Sequence, residues 1–516
     1  MAMQLSGSIN VKMSTLLTPF SVPAHPSPPI MSVRDRSYRQ RRQHNRQSVS
    51  TAAQQGEGLQ QQQPQPPFIN TRPKSRTILT DPALAEMSLS EEEIEADMAS
   101  AAKTASLWEL LNNPEQDGTI FGNRARSATD ANVLRRKGHL KEQDFLIDFM
   151  RRMHETHSCL EVMTKMEKWV NEHRKDPLRS RLKRLVPQLG QFFTPLHLVD
   201  AFLEYDEVFK LSRRKFIPPN FAELRHVVNI AQIHASAKNL RLITFDADGT
   251  LYADGCHFEQ DNAMIAHIIN LLQCDIHVAI VTAAGYPGEA HKFEGRLAGL
   301  LGSFRKLNLP AEVTDRFHVM GGECNYLLRV TPEDKRLEFV PDEEWKTEEM
   351  CRWHEDDIQY MLDGAEMLLM KGAKRLELEV SVMRKPRSVG IIPISPTIYE
   401  VLEDIALSAQ TQLVANVPFC AFNGGNDVFV DCGNKSLGLQ ALMTFLGIQP
   451  HETLHVGDRF TLSGNDSATR DMCSVLWVAD PNETGFFVRL LLKDIARSSL
   501  EAQHEQTMRR KLLLDV

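Results

Sequence analysis

Apolar residues recur every three or four positions from about Leu107 to Ala237, as in Asp144-Phe145-Leu146-Ile147-Asp148-Phe149-Met150 and Leu160-Glu161-Val162-Met163-Thr164-Lys165-Met166. That period predicts amphipathic helices, punctuated by Pro177, Pro187, Pro195, Pro218 and Pro219. Upstream, Ser88-Leu89-Ser90-Glu91-Glu92-Glu93 carries a Ser cap and first-turn acids, the signature of a helix start.

The pattern changes at Leu240. Short apolar runs that end in polar residues follow: Arg241 to Phe245, His277 to Val281, Thr453 to Val456 and Val475 to Val478. Strands of this kind separated by helical stretches predict an α/β fold with a doubly wound, mostly parallel sheet. About 150 residues lie between the second strand and Lys435, too many for a loop in a compact domain. They read as an inserted α+β cap. The expected division is a tail at 1–87, a helical N-terminal domain at 88–237, a core at 238–300 and 421–516, and a cap at 301–420.

Composition narrows the class. The chain has 516 residues, 42% hydrophobic and 24% charged, with a formal net charge of -8. That balance suits a soluble protein with a sizeable core and argues against a general nucleic-acid binder, whose footprint would be basic. The eight cysteines contain no Cys-x-x-Cys pair and read as reduced cytosolic thiols. No apolar run reaches the roughly 18 residues of a membrane span, so a cytoplasmic location is expected. The N-terminal 67 residues are rich in Ser, Pro, Gln and Arg, a composition typical of disorder. Their Arg-rich, acid-poor bias also resembles a transit peptide, but they lack its amphipathic stripe.

Candidate chemistry lies at the strand ends. Asp246 and Asp248 in Phe245-Asp246-Ala247-Asp248-Gly249-Thr250 place two carboxylates at the carboxyl edge of the sheet, where open α/β folds bind ligands. One can attack phosphorus while the other manages the proton of the leaving oxygen. Thr282 closes a second strand, Lys435 opens a helix in Cys432-Gly433-Asn434-Lys435, and Gly457-Asp458 precedes Gly464-Asn465-Asp466. Carboxylates in such loops suit magnesium, which keeps waters beside a few carboxylates and a phosphate.

The ordered set Asp-x-Asp-Gly-Thr, Thr, Lys, Gly-Asp and Asn-Asp resembles the haloacid-dehalogenase-type phosphatase superfamily over about Leu240 to Asp480. Asp254-Gly255, the Thr282-Ala283-Ala284-Gly285-Tyr286 segment and Phe422-Asn423-Gly424-Gly425-Asn426-Asp427 are similar to the IMP-specific 5′-nucleotidases. The resemblance implies that Asp246 is the nucleophile and Asp248 the proton donor. It places Mg²⁺ on Asp246, the backbone carbonyl of Asp248, and Asp458. Thr282 and Lys435 would then hold the phosphoryl oxygens, with Asp254 and Asp427 on the nucleoside and Asp466 in a supporting position. The basic turn Arg384-Lys385-Pro386-Arg387 is a further candidate contact, against its reading as a solvated turn. The resemblance also implies activation by ATP at Lys215 and His226, and a homotetramer. Two rivals stand beside it: a sugar-phosphate phosphatase or phosphomannomutase, and a nucleotide sensor without turnover.

Overall fold

The computed structural model describes residues 144–214 and 217–514. The expectations for 1–143, including the tail and the helix start at Ser88, lie outside the described residues, as does Lys215.

Helices α1 (Phe145–Met153), α2 (Cys159–Lys175), α3 (Leu198–Phe209) and α4 (Phe221–Ser236) come first. Asp144, Ser158 and Asn220 cap α1, α2 and α4 through backbone N–H groups, and Ser158 and Asn220 complete capping boxes with Glu161 and Glu223. The main sheet follows, built from β1 (Leu242–Phe245), β2 (His277–Val281), β3 (Phe317–Gly321), β4 (Tyr326–Val330), β5 (Leu337–Phe339), β10 (Thr453–Gly457) and β11 (Ser474–Trp477). Its order is β11-β10-β1-β2-β3-β4-β5. The first five strands in that order are parallel, and β4 and β5 extend the sheet antiparallel.

Strand alternation divides the sheet's two faces. Ile243, Phe245, Val278 and Ile280 face one core, which they share with α1 to α4 and with α11 (Pro481–Leu514). Leu242, Ala279 and Val281 face a second core with Leu439 and Leu442 of α10 (Lys435–Leu446). The helices before β1 therefore have no core separate from that of the sheet. They are locked to it by a buried charge network. Arg225 of α4 donates to both carboxylate oxygens of Glu483 at 2.7 and 2.9 Å, while His226 Nε2 lies 3.1 Å from Glu483 Oε1. Between β1 and β3 run α5 (Met264–Gln273), α6 (Ala290–Arg296) and α7 (Ala298–Lys306).

A second sheet, ordered β6-β7-β9-β8, is antiparallel throughout: β6 (Val380–Lys385), β7 (Ser388–Pro393), β8 (Phe419–Asn423) and β9 (Val428–Cys432). Helices α8 (Glu355–Arg375) and α9 (Tyr399–Gln412) bury one of its faces around Leu362, Leu369, Ile391, Ile405 and Val430.

Two boundaries differ from the sequence expectation. Residues 317–339, assigned to the cap at 301–420, pair into the main sheet, whereas 421–432, assigned to the core, complete the second sheet. Apolar alternation reports that a strand is half-buried but carries no information on which sheet receives its hydrogen bonds. Among the described residues, no helix is long and apolar enough to cross a membrane.

Candidate active site

The carboxyl ends of β1, β2 and β10 converge beneath the second sheet on an open cleft. Asp246, Asp248, Asp254, Thr282 and Asp427 all line it. Lys435, the first residue of α10, lies fully buried behind Asp246 and ion-pairs with it.

Asp246 continues β1, and its N–H donates to Val456 O at 2.8 Å, so the backbone is held in register with β10. Lys435 Nζ stands 2.6 Å from Asp246 Oδ1 and 2.6 Å from Asp466 Oδ1. Asp466 also meets His455 Nε2 at 3.0 Å and accepts from the Arg459 N–H at 2.9 Å. His455 is oriented in turn by the Thr244 hydroxyl, 2.8 Å from Nδ1. Burial opposes charge on Asp466, but Lys435 and His455 outweigh it and hold its carboxyl well below the usual range. Burial likewise opposes the ammonium of Lys435, and Asp246 and Asp466 more than restore it. Burial raises Asp246 above the ordinary carboxylate value despite Lys435.

Asp458 reaches the same point from the end of β10. Its carboxylate lies against Gly249, whose φ of +78° favours glycine. A Cβ there would fall 2.7 Å from Asp458 Oδ2. Burial pushes Asp458 up to about 7, with the Arg459 guanidinium opposing. Carboxylate oxygens of Asp246, Asp458 and Asp466 all lie within 4.8 Å of one another. Because Asp466 is committed to Lys435, His455 and the Arg459 amide, Asp246 and Asp458 are the pair that fits a small, hard cation. The crowded carboxylate oxygens of buried Asp246 and half-buried Asp458 are the donor type that Mg²⁺ requires.

Asp248 is held differently. Arg296, the last residue of α6, donates from Nη2 to Oδ1 at 2.7 Å and to Oδ2 at 2.8 Å. The Gly255 N–H donates to Oδ1 at 3.1 Å. The guanidinium also sits over the Tyr252 ring, 5.4 Å from its centroid. At the end of β2, the Thr282 hydroxyl accepts from the Ala284 N–H at 3.1 Å. Arg459 bridges toward the outer carboxylates, with contacts of 3.5 Å to Asp458 and 3.6 Å to Asp254. Burial raises Asp427, with Arg459 opposing.

Neither Arg296 nor Arg459 was singled out by the sequence reading. Arg296 lies in a helix 48 residues from Asp248 with no motif around it, and only the fold brings the two together. Arg459 directly follows Asp458, and its place in the fourth motif was the one available signal. In the basic turn, only Lys385 reaches the cleft. Arg384 pairs with Asp363 and Glu366, and Arg387 with Glu355. His226 departs from expectation. It is fully buried between Tyr205 and Glu483, because α4 is covered on nearly every side, and it presents no open ring face on which an adenine could stack.

An Asp–Lys–Asp core at the carboxyl edge of a parallel sheet, roofed by a second sheet, is the framework of a phosphoric monoester hydrolase. The family model for IMP-specific 5′-nucleotidase matches residues 127–488, and the chain belongs to that family. It is 41% identical to the IMP-specific 5′-nucleotidase 1 of Yarrowia lipolytica across 59% of this chain and 76% of that one. A mutant of the Plasmodium falciparum IMP-nucleotidase solved with IMP bound superposes with a TM-score of 0.64 at 36% identity, over 68% of this chain and 96% of that one. The ATP-bound structure of the same P. falciparum enzyme superposes with a TM-score of 0.63 at 34% identity, over 73% and 91% of the two chains.

Proposed function

We propose that this protein hydrolyses the 5′-phosphate of inosine monophosphate to inosine and phosphate through an aspartyl-phosphate on Asp246. The observation that carries the reading is the Asp246–Lys435 contact at the floor of the cleft, in a chain whose relatives are IMP nucleotidases. A carboxylate of Asp246 attacks phosphorus as the P–O5′ bond breaks, and Asp248 gives its proton to O5′. Water then attacks the acyl phosphate and returns a proton to Asp248, releasing phosphate and restoring Asp246. The Thr282 hydroxyl faces the phosphoryl oxygens and Lys435 offsets their charge from behind Asp246, and preorganised charge of this kind often supplies the largest share of the rate. Asp254 and Asp427, farther out, hold the nucleoside.

Mg²⁺ is part of the reading, with Asp246, Asp458 and the backbone carbonyl of Asp248 as the groups that would hold it. When bound, it offsets phosphate charge and orients the ester. Activation by ATP is part of the reading: the P. falciparum relative is solved with ATP bound, although the buried position of His226 argues against direct stacking there. A homotetramer in the cytoplasm completes the proposal, in line with eight free cysteines.

The test is free-phosphate release from IMP, AMP, GMP and hexose phosphates by the purified protein, with and without Mg²⁺ and ATP. IMP should dominate, and Asp246→Asn should abolish turnover while leaving nucleotide binding largely intact. Preference for a hexose phosphate would favour the sugar-phosphatase alternative. Turnover retained in Asp246→Asn would remove the nucleophile.

A further inference from the structure

A buried carboxylate that the mechanism does not use stands behind the cleft. Glu323 lies in the turn between β3 and β4, fully buried, with a left-handed φ of +64° that a non-glycine residue rarely adopts. Such a conformation persists only where the surroundings hold it. Three contacts do so. The Glu323 N–H donates to Thr282 O at 3.0 Å, at the end of β2. Its carbonyl packs on α10, where a Cβ on Gly438 would fall 2.5 Å from the oxygen. Its side-chain Oε1 lies 2.8 Å from the amide Nδ2 of Asn465. Glu323 therefore ties together Thr282, the helix that opens with Lys435, and the loop that carries Asp466.

Asn465 reaches the substrate space, for it lines the cleft with Asp246 and Thr282. Its Oδ1 and the Oε2 of Glu323 are both buried, and neither has a hydrogen-bond partner among the described residues. The two ends of a carboxamide have the same shape. An ionised carboxylate takes the Nδ2 end, whereas a carboxylic acid donates to the Oδ1 end and frees two N–H donors for the cleft. A phosphate dianion offers only acceptors, so it selects the second arrangement.

We infer that Glu323 is a positioning residue which, as the neutral acid, donates to Asn465 Oδ1 and turns that amide so that Nδ2 donates to the phosphoryl oxygens. The inference rests on the phosphate end of the nucleotidase reading and adds two groups to it. Facing Glu323 are Lys435 from α10, Asp431 from β9, Asp246 from β1, Cys420 from β8 and the adjacent Cys324. Burial pushes Glu323 up to about 8, with Lys435 opposing and Asp431 adding to the rise. The acid form is thus present at neutral pH and is lost on the alkaline side.

The experiment measures binding of inorganic phosphate to the full-length protein with Mg²⁺, by titration calorimetry from pH 6.5 to 9.5. A glutamine carboxamide donates to Asn465 Oδ1 at every pH, so Glu323→Gln mimics the acid. Wild type and Glu323→Gln should bind equally at pH 6.5. At pH 9, where about nine-tenths of Glu323 is ionised, wild type should bind about tenfold more weakly than Glu323→Gln. Glu323→Leu should bind roughly tenfold more weakly throughout. If it does not fold, Glu323→Gln, which keeps the shape, carries the test. In an Asn465→Ala background, Glu323→Gln should have no effect, because Glu323 acts through that amide. Parallel pH curves for wild type and Glu323→Gln would assign the alkaline loss to another group and overturn the inference. Glu323→Gln binding as weakly as Glu323→Leu at pH 6.5 overturns it as well. Phosphate binding that follows these expectations in a protein inert on IMP instead overturns the nucleotidase reading and upholds the role of Glu323.

Discussion

Arg296 grips Asp248 by both carboxylate oxygens, at 2.7 and 2.8 Å, from the far end of α6. The pair fixes the direction of the residue proposed to protonate the leaving oxygen. General acid catalysis contributes about 10²–10⁴-fold when the acid is well placed. Arg296→Gln should therefore lower kcat on IMP by roughly 10- to 100-fold, about 1.4–2.7 kcal/mol of barrier. The loss on p-nitrophenyl phosphate, whose leaving group needs no proton, should be much smaller. Equal losses on the two substrates would show that Arg296 acts on the phosphate and not on the acid.

Lys435 is the sole lysine in contact with Asp246 and Asp466 among the described residues. Removing it strands two buried carboxylates, and breaking a buried pair in this way costs about 3–5 kcal/mol. Lys435→Met should lose turnover and also unfold at markedly lower denaturant. An unchanged urea midpoint would mean that the carboxylates find another partner.

Gly249 packs its bare Cα against Asp458 in a left-handed conformation. Gly249→Ala should strain the turn by about 1–2 kcal/mol and push the Asp458 carboxylate from its place. The Mg²⁺ concentration for half-maximal phosphate release should rise at least about tenfold, equivalent to ~1.4 kcal/mol. A variant with an unaltered Mg²⁺ titration would separate Asp458 from the metal.

His234 lies between Asp494, 2.5 Å from Nδ1, and Glu204, 2.9 Å from Nε2. Burial alone would lower its pKa, but the two carboxylates prevail and raise it to about 9. Because the folded value lies above the ordinary 6.5, the protonated ring stabilises the fold fully below about pH 6.5. That contribution, at most about 3 kcal/mol, is lost as pH rises through 9. Urea unfolding from pH 6 to 9.5 should show this decline in the wild type and a flatter curve in His234→Gln. A parallel decline in both proteins would assign it to other groups.

Much of the candidate site is legible in one dimension because its parts sit at strand ends. Asp246, Thr282 and Asp458 each follow an apolar run, and parallel pairing of β1 with β2 and β10 brings those ends to one edge. Lys435 is legible through its place in the ordered motif set, at the start of a helix, which the structure shows as α10. Arg296 and Glu323 are not. Arg296 occupies an ordinary helix end, and Glu323 sits in a short turn between strands, where nothing local says what its side chain meets. The inserted segment shows the same limit, since the residues of β3 and β4 read as cap strands until their partners are known.

The sequence by itself determined the chemistry: which carboxylates end strands, which glycine permits the turn between them, and that a long insertion must fold above them. Those features follow from local backbone rules and short spacings, which a chain carries in its order of residues. Tertiary structure alone decided which sheet each strand joins and which arginine holds Asp248. It also decided that His226 is interior and that Glu323 meets Asn465. Such facts depend on pairing between residues far apart in the chain, where hydrogen bonding and burial, not local preference, choose the neighbour.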